Sequence, residues 1–111
     1  MDVENPLLAD YRKGIPRKLE LLQQLVAGVK RERSLPSLEA LRYEVHKITG
    51  NSGTYGYITA SDLCKQLDVD LREKIKSFTK DIISEEWLVS LDSFLQRVER
   101  AFSAPDKQVQ F

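Results

Sequence analysis

Apolar residues recur along this chain at steps of three and four in four separate segments, and no useful length alternates as a half-buried strand would. The pattern predicts an all-α protein. The first segment runs from about Pro6 to Arg33, with Leu8, Tyr11, Ile15, Leu19, Leu22, Val26 and Val29 on one side. Gly14-Ile15-Pro16 interrupts it, because proline removes a backbone donor and disfavours helical geometry at the residue before it. The expectation is a short N-terminal helix followed by a longer one, with Pro16 near the start of the second piece.

Ser34-Leu35-Pro36-Ser37 supplies a capping serine and an early proline, and Leu38, Leu41, Val45, Ile48, Ser52 and Tyr55 then keep the helical step. This helix is expected to end at Gly53 or Gly56, since glycine takes the left-handed turn that closes a helix. Thr59-Ala60-Ser61-Asp62 has the form of a capping box ahead of a third stripe, Leu63, Leu67, Leu71, Ile75 and Phe78, which Val69 and Asp70 weaken slightly. Ser84 followed by Glu85 and Glu86 marks a fourth start, with acids where the helix dipole favours them. Trp87, Leu91, Phe94, Val98 and Phe102 form its stripe. Short connections favour antiparallel neighbours, so the expected architecture is an up-down-up-down four-helix bundle with a short additional N-terminal helix.

A chain of 111 residues accommodates one domain, expected over residues 1–103, with 104–111 as a tail or linker. Hydrophobic residues make up 41% and charged residues 31%, a balance that excludes disordered and membrane classes. The start, Met1 to Pro6, is polar and acidic rather than a secretory signal, so a cytoplasmic location is expected. Seventeen basic residues face seventeen acidic ones, which gives no field for nucleic acid or anionic lipid and requires any partner to be recognised locally. With one cysteine and one histidine, neither an internal disulfide nor a protein-only zinc site is expected, and Cys64 reads as core filling beside Leu63 and Leu67.

The unusual segment is Val45-His46-Lys47-Ile48-Thr49-Gly50-Asn51-Ser52-Gly53-Thr54-Tyr55-Gly56. Each helical glycine costs about 1 kcal/mol relative to alanine, so two within the last turns of a well-formed helix call for an explanation. At about 100° per residue, His46 lies on the flank of the buried stripe with Arg42, Thr49, Gly50 and Gly53 beside it. One reading is that the glycines clear the surface so that another protein can bring a reaction centre to the imidazole. The other is that they admit a neighbouring helix or begin the turn, with His46 an ordinary surface residue.

His46, Gly50 and Gly56, at offsets of four and ten, resemble the signature of bacterial histidine-phosphotransfer domains, with their H-x-x-K-G core. Ile15-Pro16-Arg17-Lys18-Leu19 is similar to that family's first-helix segment, and Leu63, Cys64, Leu67 and Asp68 fall where its third helix carries apolar positions and an acid. The resemblance covers roughly Tyr11 to Leu71, and the fourth helix agrees only in amphipathic character. One position departs from it: the lysine three residues after the histidine is Thr49, which can donate a hydrogen bond but brings no charge. Lys47 points elsewhere on a helix, and Arg42, one turn before His46, is the better-placed cation.

The resemblance implies a phosphorylated carrier without turnover of its own. A receiver domain carrying an aspartyl phosphate would dock over His46, whose outward Nε2 would take the phosphoryl group and later release it to another receiver. Asp68 is expected, by analogy, to accept the proton of the other ring nitrogen. Magnesium belongs to the receiver's site, so no metal, cofactor or nucleotide is expected here. The docking face is expected on the second and third helices, with contacts at Lys47, Gly56 and Tyr57; Tyr57 and Ile58 either contribute to that patch or cap the bundle. A bundle of this length can close its own core as a monomer. Two other readings are weighed against this one. A phosphate-independent helical interaction module would account for Thr49. The phosphoacceptor part of a histidine kinase is the weaker of the two, because Lys47 follows His46 where that segment resembles an acid, and no proline occurs between Pro36 and Pro105.

Overall fold

The computed structural model describes residues 5–106. Four helices account for most of it: α1 (Pro6–Glu32), α2 (Leu35–Ser52), α3 (Ile58–Lys76) and α4 (Glu85–Ala101), with no strand among the described residues. α1 packs against α2 and α4, and α3 packs against the same two, so the four close a bundle around one core. Leu22, Val26 and Val29 of α1, Leu38, Leu41, Val45 and Ile48 of α2, Leu71 of α3 and Leu91 and Val98 of α4 are all withdrawn from solvent. The apolar stripes of the sequence are thus the buried faces.

Several helix ends form for local reasons. Asn5 caps α1 through its side chain, which accepts from the Leu7 N–H, and Pro6 stands where a missing N–H costs nothing. Ser34 caps α2 in a reciprocal box with Ser37, each hydroxyl accepting the other residue's backbone N–H at 3.2 Å. Ser84 caps α4 by accepting from the Trp87 N–H at 3.1 Å. Among the described residues no helix is long and apolar enough to cross a membrane.

Three sequence expectations are corrected. The separate N-terminal helix is absent, because α1 runs unbroken through Pro16. Pro16 lies on the exposed face, while Ile15, Leu22, Val26 and Val29 stay in phase on the buried one, and burial of that continuous stripe outweighs the single backbone bond that proline removes. The second correction concerns α3, which begins at Ile58 rather than after Thr59-Ala60-Ser61-Asp62, and its N-cap Tyr57 makes no side-chain capping bond. Its cap comes from afar: the Asp106 carboxylate accepts from the Thr59 N–H at 2.6 Å and from the Thr59 hydroxyl at 2.8 Å. The third follows from this, since Asp106 also donates its backbone N–H to Gly56. The predicted tail is therefore tied down through Asp106, and residues 107–111 lie outside the described residues.

α2 ends at Ser52, a 3-10 turn covers Gly53–Tyr55, and Gly56 at φ 89° makes the left-handed turn that a side chain would strain. Gly53 is right-handed, at φ −61°, so of the two glycines only Gly56 is required by the backbone. The turn is sealed by aromatic rings. Tyr11 stacks on Tyr55 at 4.3 Å between centroids, Tyr57 sits 5.8 Å from Tyr11, and Phe102 lies 5.3 Å from Tyr57.

Candidate functional site around His46

His46 projects from α2 beside α3, and its partner is Asp68, 22 residues further on, with imidazole Nδ1 3.1 Å from Oδ2. The two differ sharply in exposure: the His46 side chain is 56% accessible and that of Asp68 only 8%. A buried carboxylate is costly unless its charge is matched. Asp68 is matched by two guanidiniums, Arg42 Nε at 3.2 Å on Oδ1 and Arg72 Nε at 3.7 Å on Oδ2, and meets His46 Nδ1 as a third polar partner. It occupies the α3 position that faces α2, between buried Leu67 and Leu71.

The pairing orients the imidazole. A carboxylate that is ionised only accepts, so this contact favours the tautomer with the proton on Nδ1, and Nε2 is the ring nitrogen on the other side from Asp68. The contact favours one orientation of the ring, whose side chain is 56% accessible.

Gly50, one turn along, is not needed for close packing of a neighbouring helix, and Gly53 begins the 3-10 turn. A Cβ at Gly50 would meet nothing within 4 Å, so no neighbouring helix needs the space, and one at Gly53 would meet Ser61 only at the ordinary contact distances of 3.6 and 3.7 Å. The absent side chains leave the surface beside His46 low without improving any internal packing.

Thr49, expected beside His46 with a hydroxyl able to donate a hydrogen bond, spends that hydroxyl within its own helix. It is half-buried and donates back to the Val45 carbonyl at 3.0 Å, while its own carbonyl accepts from Ser61 Oγ at 3.1 Å. Lys47 is turned away from His46, paired with Glu44 at 3.3 Å and lying over the Tyr43 ring. Two docking residues are corrected. Tyr57 is 1% exposed and belongs to the core, and Gly56 is buried, its contribution being the left-handed turn. Ile58 remains partly exposed at the start of α3.

Cys64, four residues before Asp68, is fully buried, and burial with a smaller contribution from the Asp68 charge pushes its thiol up to about 12. It stays protonated and inert, as core filling should. Burial likewise drives the Tyr11 hydroxyl well above its ordinary value, with Cys64 and Tyr57 adding to the effect.

Two features were missed in the sequence. Arg72 stands four residues after Asp68, the spacing at which helical charges meet, and that signal was available. The other is a groove of about 530 Å³ that opens between α2 and α3 next to the site, lined by Glu39, Arg42, Tyr43, Arg72, Ile75 and Lys76. Three of its six residues are cationic and one is acidic, a local excess of positive charge on a chain that is neutral as a whole. Among the described residues no cluster of histidine, cysteine and acids could hold a metal ion.

In comparisons with known proteins, no family model, curated protein or solved structure matches this chain.

Proposed function

We propose that the protein is a phosphorelay carrier, in which His46 accepts a phosphoryl group from the aspartyl phosphate of one receiver domain and passes it to another. The observation that carries this reading is the pairing of an exposed imidazole, through Nδ1, with a buried carboxylate. That arrangement supports a nucleophilic Nε2 without need of a further base. In the forward step Nε2 attacks phosphorus in line with the leaving carboxylate. The N–P bond forms as the acyl O–P bond breaks, and the electron pair of that bond leaves with the receiver's aspartate. The ring keeps its Nδ1 proton and takes on positive charge, so its bond to Asp68 becomes charge-assisted at the moment charge develops. Transfer to the next receiver is the same step reversed.

Magnesium and a lysine at the receiver's own site neutralise most of the phosphoryl charge, so the carrier needs neither metal nor nucleotide. The docking face in this reading is the α2–α3 surface around His46, Gly50 and Gly53, where absent side chains support close approach. We further read the bundle as up-down-up-down. Arg33 at the end of α1 pairs with Glu85 at the start of α4, and Tyr57 before α3 meets Phe102 after α4, contacts that antiparallel neighbours would make. A cytoplasmic monomer is part of the same proposal.

The test is transfer of label from a panel of phosphorylated receiver domains to this protein and to His46→Gln. Acid-labile, alkali-stable label on the natural protein and none on the variant is the expected result. Absence of label from every receiver would favour a phosphate-independent interaction module, the reading that an uncharged Thr49 with a committed hydroxyl also fits.

A further inference from the structure

The phosphohistidine reading leaves one chemical requirement open. A phosphoryl group on His46 carries close to two negative charges, yet residue 49, where the resembled family has its lysine, brings no charge and spends its hydroxyl on the Val45 carbonyl. Lys47 is held by Glu44 and Tyr43 on another side of α2. The cations that gather at His46's partner Asp68 are Arg42 from α2 and Arg72 from α3, which reach the two oxygens of that buried carboxylate. Both meet Asp68 through Nε, which leaves the two terminal amino groups of each guanidinium outside that contact. Both side chains are partly exposed, at 34% and 54%, and both line the groove that opens beside the site. Glu39 is the one acid of that groove, and Lys76 adds a third cation further along α3.

We propose that Arg42 and Arg72 form a two-helix guanidinium clamp for the phosphoryl oxygens on His46, as positioning residues that supply the charge absent at Thr49. The inference rests on the phosphohistidine reading and deepens it. Guanidinium suits the task because its planar fork of donors matches a phosphoryl group, and Asp68 aligns the Arg42 fork in advance by accepting from its Nε, while Arg72 stands within ion-pair distance of the same carboxylate. The bond to Asp68 need not break, because the clamp uses nitrogens that the carboxylate does not. A phosphoryl group held from both sides would also tie α2 to α3.

The test needs no receiver. The full chain is phosphorylated with phosphoramidate, and the phosphohistidine and the arginine Nε–H signals are followed by NMR. The Arg42 and Arg72 signals should move on phosphorylation while those of Arg97 and Arg100 on α4 stay in place. Labelling of Arg42→Gln and of Arg72→Gln should each be about tenfold slower. Thr49→Lys added to Arg72→Gln should recover most of that loss, which a variant that merely fails to fold could not show. Unmoved arginine signals with unchanged labelling in both Arg42→Gln and Arg72→Gln would overturn the clamp while leaving the carrier role to the receiver assay. Labelling by phosphoramidate with moving arginine signals, but no transfer from any receiver, would uphold the clamp and reject the carrier.

Discussion

Two seams of this bundle carry ion pairs, and they differ in what surrounds them. Between α1 and α4, Lys30 meets Asp92 and Arg33 meets Glu85, all four side chains at least a third exposed. Between α2 and α3, Asp68 is buried and holds His46, Arg42 and Arg72 together. Exposed pairs give back in desolvation and side-chain entropy most of what they gain, so the first seam should contribute little. A buried carboxylate must be matched, and its partners are held in place by that need. One seam decorates the surface, while the other converts burial into the orientation of an imidazole.

That contrast can be attacked at several points. The largest effect is expected at the aromatic end that supports the α2–α3 seam. Tyr57→Ala should cost about 3–5 kcal/mol in urea unfolding, as a fully buried ring does. Tyr57→Phe should leave phosphotransfer unchanged, because the ring belongs to the core and not to a docking face. Next comes Asp68→Asn, which keeps the shape and removes the charge. Transfer should slow by on the order of a hundredfold, the scale at which general acid–base and orienting groups act, read from the rate of labelling by a phosphorylated receiver. Equal rates in the two proteins would mean that the carboxylate is merely structural.

Gly50 separates folding from function in the opposite sense. Gly50→Ala should raise stability by about 0.5–1 kcal/mol, because the new methyl group meets nothing and helical glycine is costly. Gly50→Leu should be as stable as the natural protein and yet bind and label poorly with receivers. A leucine variant with full transfer would return the glycine to chance. The smallest effect belongs to the exposed seam: Asp92→Ala should change stability by less than about 0.5 kcal/mol, and by less still at high salt.

How far the sequence foretold this arrangement depends on the range over which each feature is made. The four helices were legible because their signal is periodic and local, and Ser34 and Ser84 were legible as caps because each bonds within three residues. Pro16 misled because its cost is local while the burial that overrides it is tertiary. The start of α3 misled for the same reason, since the acid that caps it stands 47 residues away. Tyr57, beside glycines, read either as docking surface or as a cap on the bundle, and only its packing against Tyr11 and Phe102 puts it inside. At the site, the meeting of Asp68 with His46 was expected by analogy with a family rather than from periodicity. Arg72 could have been found by its spacing from Asp68, whereas the commitment of the Thr49 hydroxyl to Val45 depends on a side-chain rotamer that sequence does not disclose.

The most direct measurement of the central claim is which nitrogen of His46 carries the phosphoryl group after transfer from a receiver, read by nitrogen–phosphorus NMR on protein labelled with nitrogen-15. The Asp68 bond reserves Nδ1, so the account predicts phosphorus on Nε2 with the Nδ1 proton retained. Phosphorus on Nδ1, or a stable phosphate on any other residue with His46 unmodified, would contradict it.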